Sequence, residues 1–139
     1  MVRRDPYIEH LTRVPLFSAC SKEELRRLAR RTTDIPVPAG RVLVKEGEPG
    51  REFFVIVNGS ATVSRNGKAV CKLGPGDYFG ELALLVDTPR NATVTAAAPM
   101  EAIVLARAEF DAALAEAPRM TRKLMAGMAR RLTELDSRV

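Results

Sequence analysis

Residues 74–96 read GPGDYFGELALLVDTPRNATVTA. The chain on either side runs in short β-type stretches, but here Gly80 precedes a helix-type run, Glu81–Val86. Thr88, Pro89 and Arg90 follow before β character resumes. A short helix between strands requires a reason, and its residue types supply one. A helix start carries unpaired N–H groups and a positive dipole end, which suit a phosphate. Gly80 lets backbone approach closely, and Arg90 adds a permanent charge whose planar fork matches two phosphate oxygens. One such arginine suits a monoanion. Glu81 only accepts hydrogen bonds, so beside a nucleotide it accepts one from a ribose hydroxyl, and its place in the first helical turn favours its charge.

Working outward, the stretch from Thr33 to Ala106 consists of β-branched and aromatic runs: Asp34–Pro38, Val42–Lys45, Phe53–Val57, Ala61–Ser64, Ala69–Leu73, Ala92–Thr95 and Ala102–Leu105. Glycine-containing turns separate them, and a spacing of about ten residues predicts an all-β roll or barrel. Asn66-Gly67 is the sharpest hairpin signal, because both central positions of a type I′ turn take positive φ. Gly40, Gly47, Gly59 and Gly76 read as turn glycines without ligand contact. Leu82, Leu84, Leu85 and Val86 read as core or hinge packing.

Both flanks read as helical. Before the roll, Pro15 marks a boundary, and Ser21 and Glu24 form a capping box ahead of the stripe Leu25, Leu28, Ala29. After it comes a short amphipathic piece, 108–116. Pro118 then suits the first turn of a second helix, with Met120, Leu124, Met128, Leu132 and Leu135 on one face, a stripe that reads as core or as a partner-helix surface. Gly127 inside that helix costs about 1 kcal/mol against Ala, so it marks either a close helix approach or tolerated strain. At 139 residues the whole chain reads as one domain, 1–139. N-terminal helices occupy 1–32, a roll with its special segment at 79–93 occupies 33–106, and C-terminal helices occupy 107–139.

Composition narrows the chemistry. The formal charge is +5, spread as +4 over residues 1–31, −1 over 32–106 and +2 over 107–139. So small an excess, interleaved with acids, reads as solvated helix faces and not as a phosphate-tracking stripe, so nucleic acid is not an expected partner. Cys20 and Cys71 form no CxxC and read as small buried thiols. A single histidine, His10, excludes a two-histidine metal site, and a Ser-His-Asp arrangement would have to rest on a terminal helix. No metal site and no catalytic residue is expected. No apolar run approaches the roughly 18 residues of a membrane span, and the N-terminus has no signal-peptide core, so a cytoplasmic protein without membrane insertion is expected. The excess of arginine over lysine and the many alanines point to a bacterium of high genomic GC content.

The stretch FGELALLVDTPRNATV resembles the phosphate-binding cassette of the cyclic nucleotide-binding domains. That family includes regulatory subunits of cAMP-dependent protein kinase, bacterial catabolite activator-type regulators and cyclic-nucleotide-gated channels. Upstream, PAGRVLVKEGEPGREFFVIVNGSATV resembles the family's first strands and PLFSACSKEELRRLA its N-terminal helices, so nearly the whole chain is covered. The resemblance implies a mainly β fold: an eight-stranded roll of the jelly-roll or double-stranded β-helix kind, with N-terminal helices, a short cassette helix and two C-terminal helices. It implies a non-catalytic signal-transduction module whose ligand, cAMP or cGMP, is its only small molecule, with no cofactor. Position by position, Glu81 matches the ribose-binding glutamate and Arg90 the arginine that pairs with the cyclic phosphate. Gly80, Leu82, Ala83 and Ala92 match positions whose backbone surrounds that phosphate.

Asn91 departs from the pattern. The residue after the arginine is often Ala or Ser in cAMP-preferring members and Thr in cGMP-preferring ones; lacking the threonine, the chain leans to cAMP. Met128 and Arg131 stand as alternatives for a base-capping residue, and Leu82, Leu85, Phe110 and Leu114 as couplers between cassette and C-terminal helices, which ligand binding repositions. The expected macromolecular partner is a second copy meeting through the C-terminal helix, or an effector protein. No helix-turn-helix reader precedes Val139, so a stand-alone sensor and a fragment of a longer regulator, channel, transporter or enzyme both stay open. The rivals are a ligand-free interaction or dimerisation module of the same fold, a transcription regulator lacking its DNA-binding domain, and a cupin-like enzyme that the lone histidine disfavours.

Overall fold

The apolar run EFFVIVN becomes the central strand β3 (Glu52–Asn58), in which Phe53, Phe54, Val55 and Ile56 are all buried. Successive strand residues point to opposite faces, so both faces of β3 are covered. In this computed structural model, which describes residues 5–136, the other strands are β1 (Thr33–Val37), β2 (Val42–Val44), β4 (Ala61–Arg65), β5 (Lys68–Leu73), β6 (Tyr78–Phe79), β7 (Thr93–Ala96) and β8 (Met100–Ala106). They form two four-stranded antiparallel sheets, ordered β1-β8-β3-β6 and β2-β7-β4-β5. The expected eight-stranded roll is present.

Between the sheets, Val37, Ile56, Met100 and Ala102 of the first meet Ala61, Val94 and Ala96 of the second in one buried cluster. Small alanines opposite larger residues let the two faces close at native density. Seven strands follow the expected runs to within a residue or two at their ends. The eighth, β6, was absent from those runs because two residues show no period. It is held by pairing with Phe54 and Val55 and by the stacked rings of Phe54 and Phe79, 4.9 Å between centroids. The β4–β5 hairpin turns at Asn66 (φ 53°) and Gly67 (φ 79°), as the Asn-Gly pair requires.

The chain divides into two compact units, residues 32–107 and residues 1–31 with 108–139. The second is helical: α1 (Asp5–Thr12), a 3₁₀ turn (Pro15–Phe17), α2 (Lys22–Ala29), α3 (Arg107–Glu116) and α4 (Arg119–Asp136). The capping box forms: Ser21 N–H donates to Glu24 Oε1 at 2.8 Å, and Glu24 N–H donates to Ser21 Oγ at 3.2 Å. Burial would raise the Glu24 carboxyl, but hydrogen bonds from Lys123 and Ser21 outweigh it and hold the group below its ordinary range. At Gly127 the close-approach alternative is the one observed. A Cβ there would lie 2.6 Å from the carbonyl oxygen of Pro15 and 2.9 Å from that of Leu16.

One expectation needs correction, that for the cysteines, and two other features take definite form. The α4 stripe divides between its two readings: Met120 and Leu124 are core, whereas Leu132 and Leu135 are exposed as a surface would be, with Met125 beside them. The two cysteines are not alike. Cys20 is half-buried, its thiol pushed up to about 11 by burial and by nearby Glu24, but Cys71 is exposed because β5 is an edge strand with its residues in solvent. His10 is an α1 residue whose Nδ1 is buried with no hydrogen-bond partner among the described residues.

Candidate functional site

The site lies in the roll unit, where the chain between β6 and β7 folds back on the β2–β3 loop. Arg90 is fixed first through its backbone. Its N–H donates to the Glu48 carbonyl at 2.9 Å, its own carbonyl accepts from Gly47 N–H at 2.8 Å, and Pro49 bridges Pro89. The side chain is then drawn inside, with only 9% of it exposed. Nη2 donates to the Glu52 carbonyl at 2.9 Å, and the Glu52 carboxylate lies 3.7 Å away.

Two glycines make room for this guanidinium. A Cβ on Gly50 would collide with Arg90 Nε and Cζ, and one on Gly80 would lie 2.6 Å from Arg90 Nη1 and 2.8 Å from the Glu52 carbonyl oxygen. Gly80 also sits at φ 85°, a left-handed conformation that side chains resist. Burial lowers the Arg90 pKa from its ordinary value, with Glu52 opposing. A cation taken out of water with one loose partner is set up to receive an anion.

The expected helical run Glu81–Val86 is shorter, a 3₁₀ turn over Glu81–Leu84 capped by Gly80. So brief a turn has little macrodipole, so the charge for an anion rests on Arg90 more than on a helix end. Ala83 and Leu84 anchor the turn in the core. The packing expectation fails for the others: Leu82, Leu85 and Val86 are 48%, 43% and 46% exposed, because a turn this tight can point only part of its side chains inward.

Gly80, Glu81, Leu82, Ala83, Arg90, Asn91 and Ala92 all line one cavity of about 400 Å³. The size suits a small organic ligand. Val44, Val63, Val94 and Phe79 add an apolar wall. Glu81 is half-buried and makes no hydrogen bond or ion pair with other described residues, so its lone pairs are available in the cavity. The other residues singled out, Phe110, Leu114, Met128 and Arg131, belong to the helical unit; there Phe110 is buried against Phe17, and Arg131 pairs with Glu134 at 3.7 Å.

Two arginines escaped the sequence reading. Arg65, the last residue of β4, lines the same cavity and donates from Nε to the Asn91 carbonyl at 3.1 Å. Arg107 donates from Nε to the Ala83 carbonyl at 2.8 Å and from Nη2 to that of Val86 at 2.7 Å, and pairs with Asp87. It ties the end of the 3₁₀ turn to the strand-to-helix junction, and its hydrogen bond to Asp87, then its charge, with a smaller contribution from Arg51, holds the Asp87 carboxyl below its ordinary range. Neither sits in a local motif; the period-two face shared by Val63 and Arg65 was the one available signal for the first. Among the described residues no group of three or more His, Cys, Asp or Glu could hold a metal ion, and no helix is long and apolar enough to cross a membrane.

Comparison with known proteins agrees with this geometry. The chain is 39% identical over 111 residues to a cAMP-dependent protein kinase regulatory subunit of Yarrowia lipolytica, an alignment spanning 78% of this chain and 30% of the relative. It is 41% identical over 116 residues to the corresponding subunit of Debaryomyces hansenii, spanning 83% and 26%. The chain therefore spans less than a third of either relative. Its fold matches the N-terminal domain of a transcriptional regulator from Streptomyces coelicolor A3(2) with a TM-score of 0.84 and 28% identity, over 92% of this chain and 95% of that one. The cyclic nucleotide-binding domain family matches residues 35–117, which take in the whole cavity-lining segment, and the chain belongs to that family.

Proposed function

We propose that the chain is a non-catalytic regulatory module that binds a cyclic nucleotide in the cavity beside Arg90. The observation that carries this is the buried guanidinium, held by backbone on two sides and given room by two glycines, with a single loosely placed carboxylate for company. Arg90 pairs with the cyclic phosphate, with Gly80, Leu82, Ala83 and Ala92 around it. Glu81, which has no partner of its own, accepts from a ribose hydroxyl. Asn91 faces the base. cAMP is placed ahead of cGMP, because both yeast relatives are named as cAMP-dependent kinase subunits and residue 91 is not threonine.

The two units act as one module in a cytoplasmic protein. Ligand binding shifts the cassette and repositions the C-terminal helices, a switch that works only through unequal affinity for two states. The arginine and alanine excess points to a bacterial source. A second reading has its own observation: Met125, Leu132 and Leu135 leave one side of α4 apolar and exposed, which suits a partner helix, in a second copy or an effector.

Calorimetric titration of the purified, nucleotide-stripped protein with cAMP and then cGMP tests the first reading, with Arg90→Ala beside it. Saturable one-to-one binding is expected in the wild type. The variant loses roughly 2–5 kcal/mol of binding, since a buried phosphate is left unpaired. Equal affinity of the two proteins overturns the phosphate assignment, and a folded wild type that binds neither nucleotide supports the interaction module instead.

A further inference from the structure

Arg65 stands at the end of β4 with a charge that nothing in the site description uses. Its Nε is engaged by the Asn91 carbonyl at 3.1 Å, which fixes the plane of the guanidinium. The adjacent turn is tied down as well, since Asn66 N–H donates to Glu46 Oε1 at 2.9 Å and Glu46 N–H donates to Thr93 Oγ1, also at 2.9 Å. The Arg65 side chain makes no other hydrogen bond and no ion pair with the described residues, so both its Nη groups are unspent. Val63 and Arg65 lie two apart on one strand and both line the cavity, so an apolar wall ends in a paired donor.

Resting on the cyclic nucleotide reading, charge matching then assigns the arginine a task. The cavity wall carries two guanidinium groups and the Glu81 carboxylate. A cyclic nucleotide brings one negative charge, which Arg90 receives, and its ribose hydroxyl satisfies Glu81. What remains for Arg65 is the neutral base. The Nη pair of arginine matches two adjacent acceptors, which guanine presents as O6 and N7. Adenine offers N7 beside an N6 amine, whose donor faces another donor.

We infer that Arg65 is a base-reading residue that favours guanine, and so draws the affinity for cGMP towards that for cAMP. It works beside Asn91, whose carbonyl aims it.

The test is calorimetric titration of the nucleotide-stripped full chain and its Arg65→Leu and Arg65→Lys variants with cAMP and with cGMP. Arg65 is on the surface, so melting temperatures stay close to wild type. Both variants are expected to weaken cGMP about tenfold or more while changing cAMP less than about threefold. The lysine variant keeps the charge without the fork, so full rescue by lysine overturns bidentate reading. Equal loss for both nucleotides, or no loss for either, overturns the inference and leaves the Arg90 assignment standing. A wild type that binds neither nucleotide overturns both.

Discussion

The roll and its cassette obey opposite burial rules. In β3 four consecutive apolar residues are inside. Between Gly80 and Ala92 the order is inverted: Leu82, Leu85 and Val86 stand in solvent while the cation Arg90 is drawn in. Burial of apolar side chains stabilises a fold at about 25 cal/mol per Å², so β3 is where stability resides. A segment that exposes leucines and buries a charge has given up that gain locally. It persists because Gly47, Glu48 and Glu52 hold Arg90 from the backbone and Arg107 holds the turn's carbonyls. A buried cation with one loosely placed carboxylate partner marks a place built for a ligand.

The contrast can be broken from the roll side with the largest effect. Phe53→Ala removes a fully buried ring packed 6.0 Å from Tyr78, and about 3–5 kcal/mol of stability is expected to go with it. Chemical denaturation reads that loss directly. A cost under about 1 kcal/mol would mean that β3 is not the anchor. From the cassette side, Gly50 lies outside the cavity lining, and Gly50→Ala places a methyl on the guanidinium of Arg90, which lines it. Calorimetry should then show cyclic nucleotide affinity falling by about 1–3 kcal/mol as the buried partner moves, while the melting temperature changes little. Unchanged affinity would show that Arg90 can be displaced without consequence.

The smallest effect sharpens the same comparison. Leu85→Ala removes an exposed side chain, so stability without ligand should change by less than about 0.5 kcal/mol in the same denaturation assay. A core-sized loss would show that Leu85 packs inward and that the inversion is confined to Arg90.

Much was legible because it is local. Asn66-Gly67, the Ser21–Glu24 capping box and the β-branched and aromatic runs each specify backbone geometry over a few residues, and the structure forms all three. The family motif singled out Gly80, Glu81, Leu82, Ala83, Arg90, Asn91 and Ala92, which share one cavity. β6 was missed because two residues carry no period. The exposure of Leu85 was missed because composition does not say which side of a turn meets the core. The exposed Cys71 follows from strand order, since the edge position of β5 depends on which strands find it.

From the chain alone came the element types, the turn geometry and the cassette that names the family, since these depend on residues within a few positions of one another. Folding decided what depends on distant partners. It put Gly50 against Arg90, Arg65 against the Asn91 carbonyl 26 residues away, and Arg107 against the Ala83 carbonyl 24 residues away. No periodicity encodes such contacts, because each is the joint result of sheet register, loop closure and the exclusion of water around a charge.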